Sequence, residues 1–254
     1  MLDIIEHDHR IRELRLARPP VNALNPHLIA TLKRAIAQAP NEGAAALVIS
    51  GSPGSFSAGL DIPALLQLDR DAMRAFWKDF FGVCAALARS SIPIVAAVTG
   101  HSPAGGAVLA LFCDYRVMAR GDYKIGLNEV QVGLTVPDCI QAALRRLVGP
   151  YRAERLLVAG AMLDADDALA AGMIDELTDV DHVVTRTLAW LESLLQLPRH
   201  AMLGTRAMAR ADLANLFEDP ASLPVEAFLD GWFASEAQAT LRALVERLRS
   251  KKPG

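Results

Sequence analysis

Short apolar runs alternate along this chain with longer stretches whose apolar positions recur every three or four residues. Ile11 to Leu16 alternates apolar and charged residues, a strand pattern, and Arg18-Pro-Pro-Val-Asn-Ala-Leu-Asn breaks it before an amphipathic helical stretch from His27 to Gln38. Asn25 with Pro26 behind it supplies the helix start: a side-chain oxygen for free N–H groups, then a proline in the first turn. Ala45 to Ser50 is an apolar run closed by turn formers and reads as a buried strand. The pattern repeats: Asp71 to Arg89 as helix, Ile94 to Val98 as a second buried strand ending at Gly100, Ala107 to Phe112 as helix, and Cys113 to Ala119 as a third strand. Strands alternating with helices predict parallel βαβ units with helices over the sheet, and ligands in such folds gather at the loops after strands. Beyond Val148-Gly-Pro the pattern is almost wholly helical, and the charged, proline-broken tail from Arg199 to Gly254 reads as a helical layer added to a core of residues 1–198. There is no internal repeat.

Composition sharpens this picture. With 254 residues, 52% of them hydrophobic and 22% charged, burial can drive folding, and the 6% aromatic share is low for an all-β architecture. A net charge of −3 argues against nucleic acid as a partner, because phosphate-backbone binding needs a clustered positive surface. The longest apolar run, Pro103 to Cys113, is too short to cross a bilayer, and the first residues lack the basic and apolar segments of a signal peptide. Cys84, Cys113 and Cys139 are too scattered for a disulfide framework, so reduced, packed cysteines in a cytoplasmic protein are expected. The six histidines form no metal-ligand spacing.

Three loops place glycine where the backbone must approach something closely: Phe56-Ser-Ala-Gly-Leu-Asp-Ile, Gly100-His-Ser-Pro-Ala-Gly-Gly-Ala-Val, and Ile125-Gly-Leu-Asn-Glu-Val-Gln-Val-Gly-Leu. Taken singly, each glycine is more often a turn residue than a site. Small residues opening a helix expose backbone N–H groups that stabilise an anionic oxygen, and Gly105 opens such a helix. An acid enclosed by Leu127, Val130 and Val132 would have its pKa raised by desolvation towards the range useful for proton transfer, and Glu129 sits among them. From the loop alone, a surface glutamate is an equal reading. Gly100-His-Ser-Pro-Ala-Gly-Gly also suggests a hydrolase nucleophile elbow at Ser102, but Ala104 stands where that motif needs glycine, and Pro103 has no N–H for an oxyanion hole. Trp77, Phe80 and Phe81 fall on one predicted helix, where an aromatic stripe belongs to the core more often than to a ligand.

In this order and spacing, Phe56 to Asp61, Gly100 to Gly106 with Cys113-Asp114 after it, and Gly126 to Gly133 resemble the enoyl-CoA hydratase/isomerase (crotonase) superfamily. Within it the chain is most similar to the mitochondrial-type Δ3,Δ2-enoyl-CoA isomerases, from Arg18 to the C-terminal helices and including Trp77-Lys78 and Tyr151 to Arg155. The resemblance implies a spiral of βαβ units with a C-terminal helical trimerisation region, and a homotrimer or dimer of trimers. It implies an acyl-CoA thioester as substrate, with coenzyme A part of that substrate and no separate cofactor or metal. By motif position, the backbone N–H groups of Leu60 and Gly105 would hold the thioester oxygen, and Glu129 would transfer the proton. Asn22, Ala23, Ala58, Gly59, Asp61, Ile62, Gly106, Val108 and Asn128 would line the substrate's path. Phe233, Arg247 and Lys251 are candidates to reach a neighbouring subunit's nucleotide.

One position departs from the hydratase pattern. The hydratases of this superfamily carry a second glutamate where this chain has Val108, which can neither hold nor activate water. A site with one carboxylate suits a 1,3-proton shuttle better than hydration. Hydration, other thioester chemistry and a non-catalytic scaffold on the same fold are the rival expectations.

Overall fold

The computed structural model describes residues 1–219, 221 and 223–250. The strands are β1 (Leu2–His7), β2 (Ile11–Leu16), β3 (Ala46–Ser50), β4 (Gly54–Ser55), β5 (Ile94–Val98), β6 (Gly100–Pro103), β7 (Tyr115–Ala119), β8 (Lys124–Gly126), β9 (Leu163–Asp164) and β10 (Glu176–Thr178). They form a six-stranded sheet in the order β1-β2-β3-β5-β7-β10 and a four-stranded sheet in the order β4-β6-β8-β9. From β2 to β10 the large sheet is parallel, as the alternation of strand and helix predicts, and β1 adds an antiparallel edge with Leu2 opposite Leu16.

The central strands are continuously apolar because both faces are covered. Leu47, Ile49, Ala96 and Val98 pack under the Pro26–Gln38 and Arg70–Ala88 helices, while Ala46, Val48, Val95 and Ala97 meet Val183 and Leu191 of the Val183–Leu195 helix. Asn25 caps as expected, its side chain accepting from the Leu28 N–H at 2.9 Å.

Two sheets make the chain a spiral. Each of β3, β5 and β7 runs on, within a few residues, into β4, β6 or β8 of the small sheet. Since β4, β6 and β8 are parallel and in register, with Ser55 beside His101 and Pro103 beside Gly126, the chain leaves all three at the same end. The segments that leave are the three glycine-bearing loops. Their convergence is a consequence of this register.

The helices after residue 199 share the main core. Leu213, Phe217, Leu229, Trp232, Ala237 and Leu241 are buried in the same apolar cluster as the large sheet. Arg206 ties the Arg199–Ala209 helix to the sheet's end, donating from Nε and Nη2 to the two Asp114 oxygens at 2.8 Å each, and Arg210 adds a second cation to that carboxylate. The expectation of an almost wholly helical second half needs correcting. β9 and β10 return to the two sheets, β9 antiparallel to β8 and β10 parallel to β7; at two and three residues they are too short to show a period.

Candidate active site

Glu129 opens a one-turn 3-10 helix, Glu129–Val132, that Gly133 ends in the left-handed region at φ 78°. Both ends of the turn are pinned: the Gln131 N–H donates to Asn128 O, the Leu134 N–H to Glu129 O, and the Gln131 side chain to Gly160 O. As a residue Glu129 is half-buried, but its Oε2 is shut off from solvent and has no hydrogen-bond partner. Burial pushes its pKa from the ordinary 4.5 up to about 7, against a smaller lowering by a backbone hydrogen bond. The expected enclosure is corrected in one member. The tight turn swings Val130 out to solvent, where it meets Gly160, while Leu127 is buried and Val132 and Leu134 line the cavity with Glu129.

Leu60 and Gly105 come together from two of the converging loops. Leu24 pairs with Leu60 as an isolated bridge: Leu24 N–H donates to Gly59 O and Asp61 N–H to Leu24 O. In such a bridge the Leu60 N–H points away from Leu24, and it donates to no backbone acceptor among the described residues. Gly105 is the first residue of the Gly105–Leu111 helix, so its N–H is free of the helix ladder. Ala104 before it holds φ 46°, ψ −118°, a strained non-glycine conformation of the kind concentrated at functional sites, with its N–H on Gly126 O. Gly106 lies behind the loop. A β-carbon there would stand 2.5 Å from Ser57 O, so only glycine lets the two loops meet.

Leu60, Gly105 and Glu129 line one cavity of about 260 Å³, with Ala58, Ile62, Val108 and Asn128. Glu129 is its only carboxylate among the described residues. The alternation Ala58, Leu60, Ile62 follows from the strand-like bridge: the intervening Gly59 and Asp61 turn the other way. Asp61 pairs with Arg18 and caps the Ile62–Leu65 helix by accepting from Ala64 N–H. The Asn22 side chain, also among the expected lining residues, is instead an internal strut. It is 1% exposed, accepts from Arg18 N–H and donates to Ser55 O and Phe56 O. Ala23 accepts from Arg18 through its carbonyl. Asn22, Ala23, Gly59, Asp61 and Gly106 are thus not among the residues that line this cavity; their expected place is along the adenine and pantetheine path outside it. Ser102 is fully buried, its Oγ unpartnered, and the neighbouring His101 accepts from Lys124 N–H instead, so no base activates it.

The far wall comes from residues outside the three glycine-bearing loops. Trp77 and Phe80 line the cavity while also packing in the aromatic core, and Phe228, Leu244 and Leu248 reach it from the C-terminal helices Val225–Phe233 and Ser235–Ser250 of the same chain. The signal for Phe228 is the spacing of Val225, Phe228, Leu229 and Trp232, one apolar helix face. Trp232 is fully buried behind Trp77, and Phe233 is 37% exposed with Arg70 over its ring. Arg247 is exposed, and Lys251 lies outside the described residues.

The enoyl-CoA hydratase/isomerase family matches residues 6–250. "Enoyl-CoA delta isomerase 1, mitochondrial" of Homo sapiens is 30% identical over 242 residues, covering 94% of this chain and 80% of that protein. "Probable enoyl-CoA hydratase echA17" of Mycobacterium avium is 34% identical over 220 residues, covering 84% and 81%. The crystal structure of human mitochondrial delta3-delta2-enoyl-CoA isomerase superposes with a TM-score of 0.92 at 28% identity over 99% of both chains. Sequence match, spiral topology and the three converging loops agree: the chain belongs to the enoyl-CoA hydratase/isomerase family.

Proposed function

We propose that this protein is a Δ3,Δ2-enoyl-CoA isomerase. The observation that carries the reading is a single carboxylate, Glu129, raised to a pKa of about 7 in an apolar cavity where Val108 occupies the hydratases' second acid position. Glu129 takes the proton from C2 of a 3-enoyl thioester, and the electron pair passes into the thioester carbonyl to give a dienolate. The N–H groups of Leu60 and Gly105 hold the developing oxyanion, and loss of one such donor typically costs about 2.7–4 kcal/mol of barrier. The same carboxyl returns the proton to C4, leaving the double bond between C2 and C3 and the enzyme unchanged. Glu129 near pKa 7 suits both halves, being ionised often enough to accept and acidic enough to donate.

Similarity to probable hydratases favours a second reading, hydration of 2-enoyl thioesters, with Asn128 beside Glu129 holding the water. A paired spectrophotometric assay separates the two. Conjugated 2-enoyl thioester growing from 3-enoyl-CoA, lost in Glu129→Gln and without comparable hydration of 2-trans-enoyl-CoA, supports isomerisation; dominant hydration overturns it. A homotrimer or dimer of trimers is part of the reading and is checked by light scattering. The buried free thiols of Cys84, Cys113 and Cys139 suit a reducing compartment such as the cytoplasm.

A further inference from the structure

Beside the cavity of Glu129 lies a solvent-open groove of about 360 Å³, bounded by the 133–138 segment, Gln141 and the Val225–Phe233 helix, with Gly133, Thr135, Asp138, Ala227 and Gly231 exposed along it. The two share three lining residues, Leu134, Pro137 and Phe228. Leu134 is tied to the Glu129 turn, its N–H donating to Glu129 O, and Pro137 starts the Asp138–Val148 helix, its carbonyl accepting from Ile140 N–H and Gln141 N–H. Phe228 comes from another element. Its ring is set edge-on against Trp77, with centroids 4.9 Å apart, and against Phe81 at 5.9 Å. The wall between the two spaces is therefore made by Leu134, Pro137 and Phe228, and Phe228 alone comes from the C-terminal helices.

We infer that Phe228 is a specificity-determining partition that ends the acyl site and sets the longest acyl chain the protein holds. This rests on the acyl-CoA reading above. At about 30 Å³ for a group the size of a water or methylene, the 260 Å³ front cavity takes the thioester and roughly six to eight acyl carbons. The space behind Phe228 has room for roughly twelve more at the same volume, and its edge is polar, with Thr135, Asp138 and Gln141. A longer tail meets the Phe228 ring before it reaches that space. The resulting preference is for short and medium acyl chains, and the Phe228 side chain imposes it.

The structure also supplies an internal control. Gly231 lines only the rear groove, one helical turn from Phe228, and a β-carbon built on it meets nothing within 4 Å. Gly231→Leu therefore adds an apolar side chain at the rear space, without clash and without touching the front one. Titration calorimetry with saturated acyl-CoAs from butanoyl to hexadecanoyl reads the partition without relying on turnover. In the unaltered protein, affinity rises up to about fourfold per buried methylene and levels off near octanoyl. In Phe228→Ala it continues to rise, and the dodecanoyl-to-octanoyl affinity ratio increases at least tenfold. Adding Gly231→Leu to that variant returns the ratio to its starting value, and Gly231→Leu alone leaves it unchanged. Phe228→Leu gives the same direction with a smaller step if the alanine variant does not fold. Affinity that keeps rising past octanoyl in the unaltered protein, or a ratio unmoved in a folded Phe228 variant, overturns the partition while leaving the acyl-CoA reading intact. If no acyl-CoA of any length binds, the acyl-CoA reading itself fails, and the partition falls with it.

Discussion

A β-carbon on Gly59 would stand 3.2 Å from the Gly105 nitrogen and 3.0 Å from Pro103 O, so the two loops that carry the candidate oxyanion donors are held at backbone contact. Gly59 also sits at φ +78°, where a side chain is strained whatever the space around it. At Gly105 the first atom met is Leu24 Cδ1 at 3.0 Å, the movable end of a side chain. Gly59→Ala is expected to lower kcat by about 10²–10³, the cost of one misplaced donor, while Gly105→Ala loses tenfold or less. Steady-state kinetics on 3-enoyl-CoA checks the ranking; equal losses would show that loop contact does not set the donors.

The titration of Glu129 predicts the pH profile. The carboxyl must be ionised to accept the C2 proton, so kcat/KM falls about tenfold per pH unit below its pKa of about 7 and is flat above it until another group titrates. Glu129→Gln removes the base, with a loss of about 10²–10⁴ and no ascending limb. A profile that is level from pH 5 to 8 would exclude Glu129 as the base.

The same shift has a cost in stability, with a definite sign. Because the folded pKa lies above the ordinary value of 4.5, the folded state binds the proton more tightly than the unfolded chain. Stability from this group is complete below pH 4.5 and is lost as pH rises through about 7. Glu129→Gln escapes this loss. It should match the unaltered protein near pH 4.5 and exceed it at pH 8 by on the order of 2–3 kcal/mol, measured by urea unfolding at the two values.

Much of this architecture is legible in the sequence, and the gaps have physical causes. Ala46 to Ser50 and Ile94 to Val98 are readable because burial on both faces makes them continuously apolar. The small sheet reads as loops, since β4, β6 and β8 are two to four residues long and rich in glycine and serine. The motifs locate the Leu60, Gly105 and Glu129 backbone because its demands are local. The cavity's far wall stays hidden because Phe228, Leu244 and Leu248 meet Glu129 across about a hundred residues of chain, and no local pattern encodes that encounter. Val130 shows the reverse failure: it is apolar and adjacent to Glu129, yet a 3-10 turn points it outward.

Asp114 is expected to be a stability determinant without touching the cavity. Its carboxylate is about 10% exposed and faces Arg206 and Arg210, while its Oδ2 also accepts from Ile94 N–H at 2.8 Å. Asp114→Ala would leave two nearly buried guanidinium groups uncompensated, a loss of about 3–5 kcal/mol. Thermal or urea unfolding measures it, and KM for the thioester should stay within twofold in the fraction that remains folded.

Val108 gives the sharpest test of the proposed choice of isomerisation over hydration. It is 1% exposed and lines the cavity with Glu129, so Val108→Glu adds a second carboxylate to an apolar space with a single acid. Two effects follow. Burying a second acid beside the first raises the pKa of the pair, so the ascending limb of the pH profile moves above 7 and isomerisation at pH 7 falls at least tenfold. Two carboxyls can also hold a water between them, so hydration of 2-trans-enoyl-CoA should rise at least tenfold over the unaltered protein near pH 8, where the pair is partly ionised. The variant is expected to be less stable by about 1–3 kcal/mol, the cost of the new polar group in an apolar wall. If hydration does not rise while isomerisation persists and the protein remains folded, then a second carboxylate at position 108 is not what separates the two reactions in this scaffold.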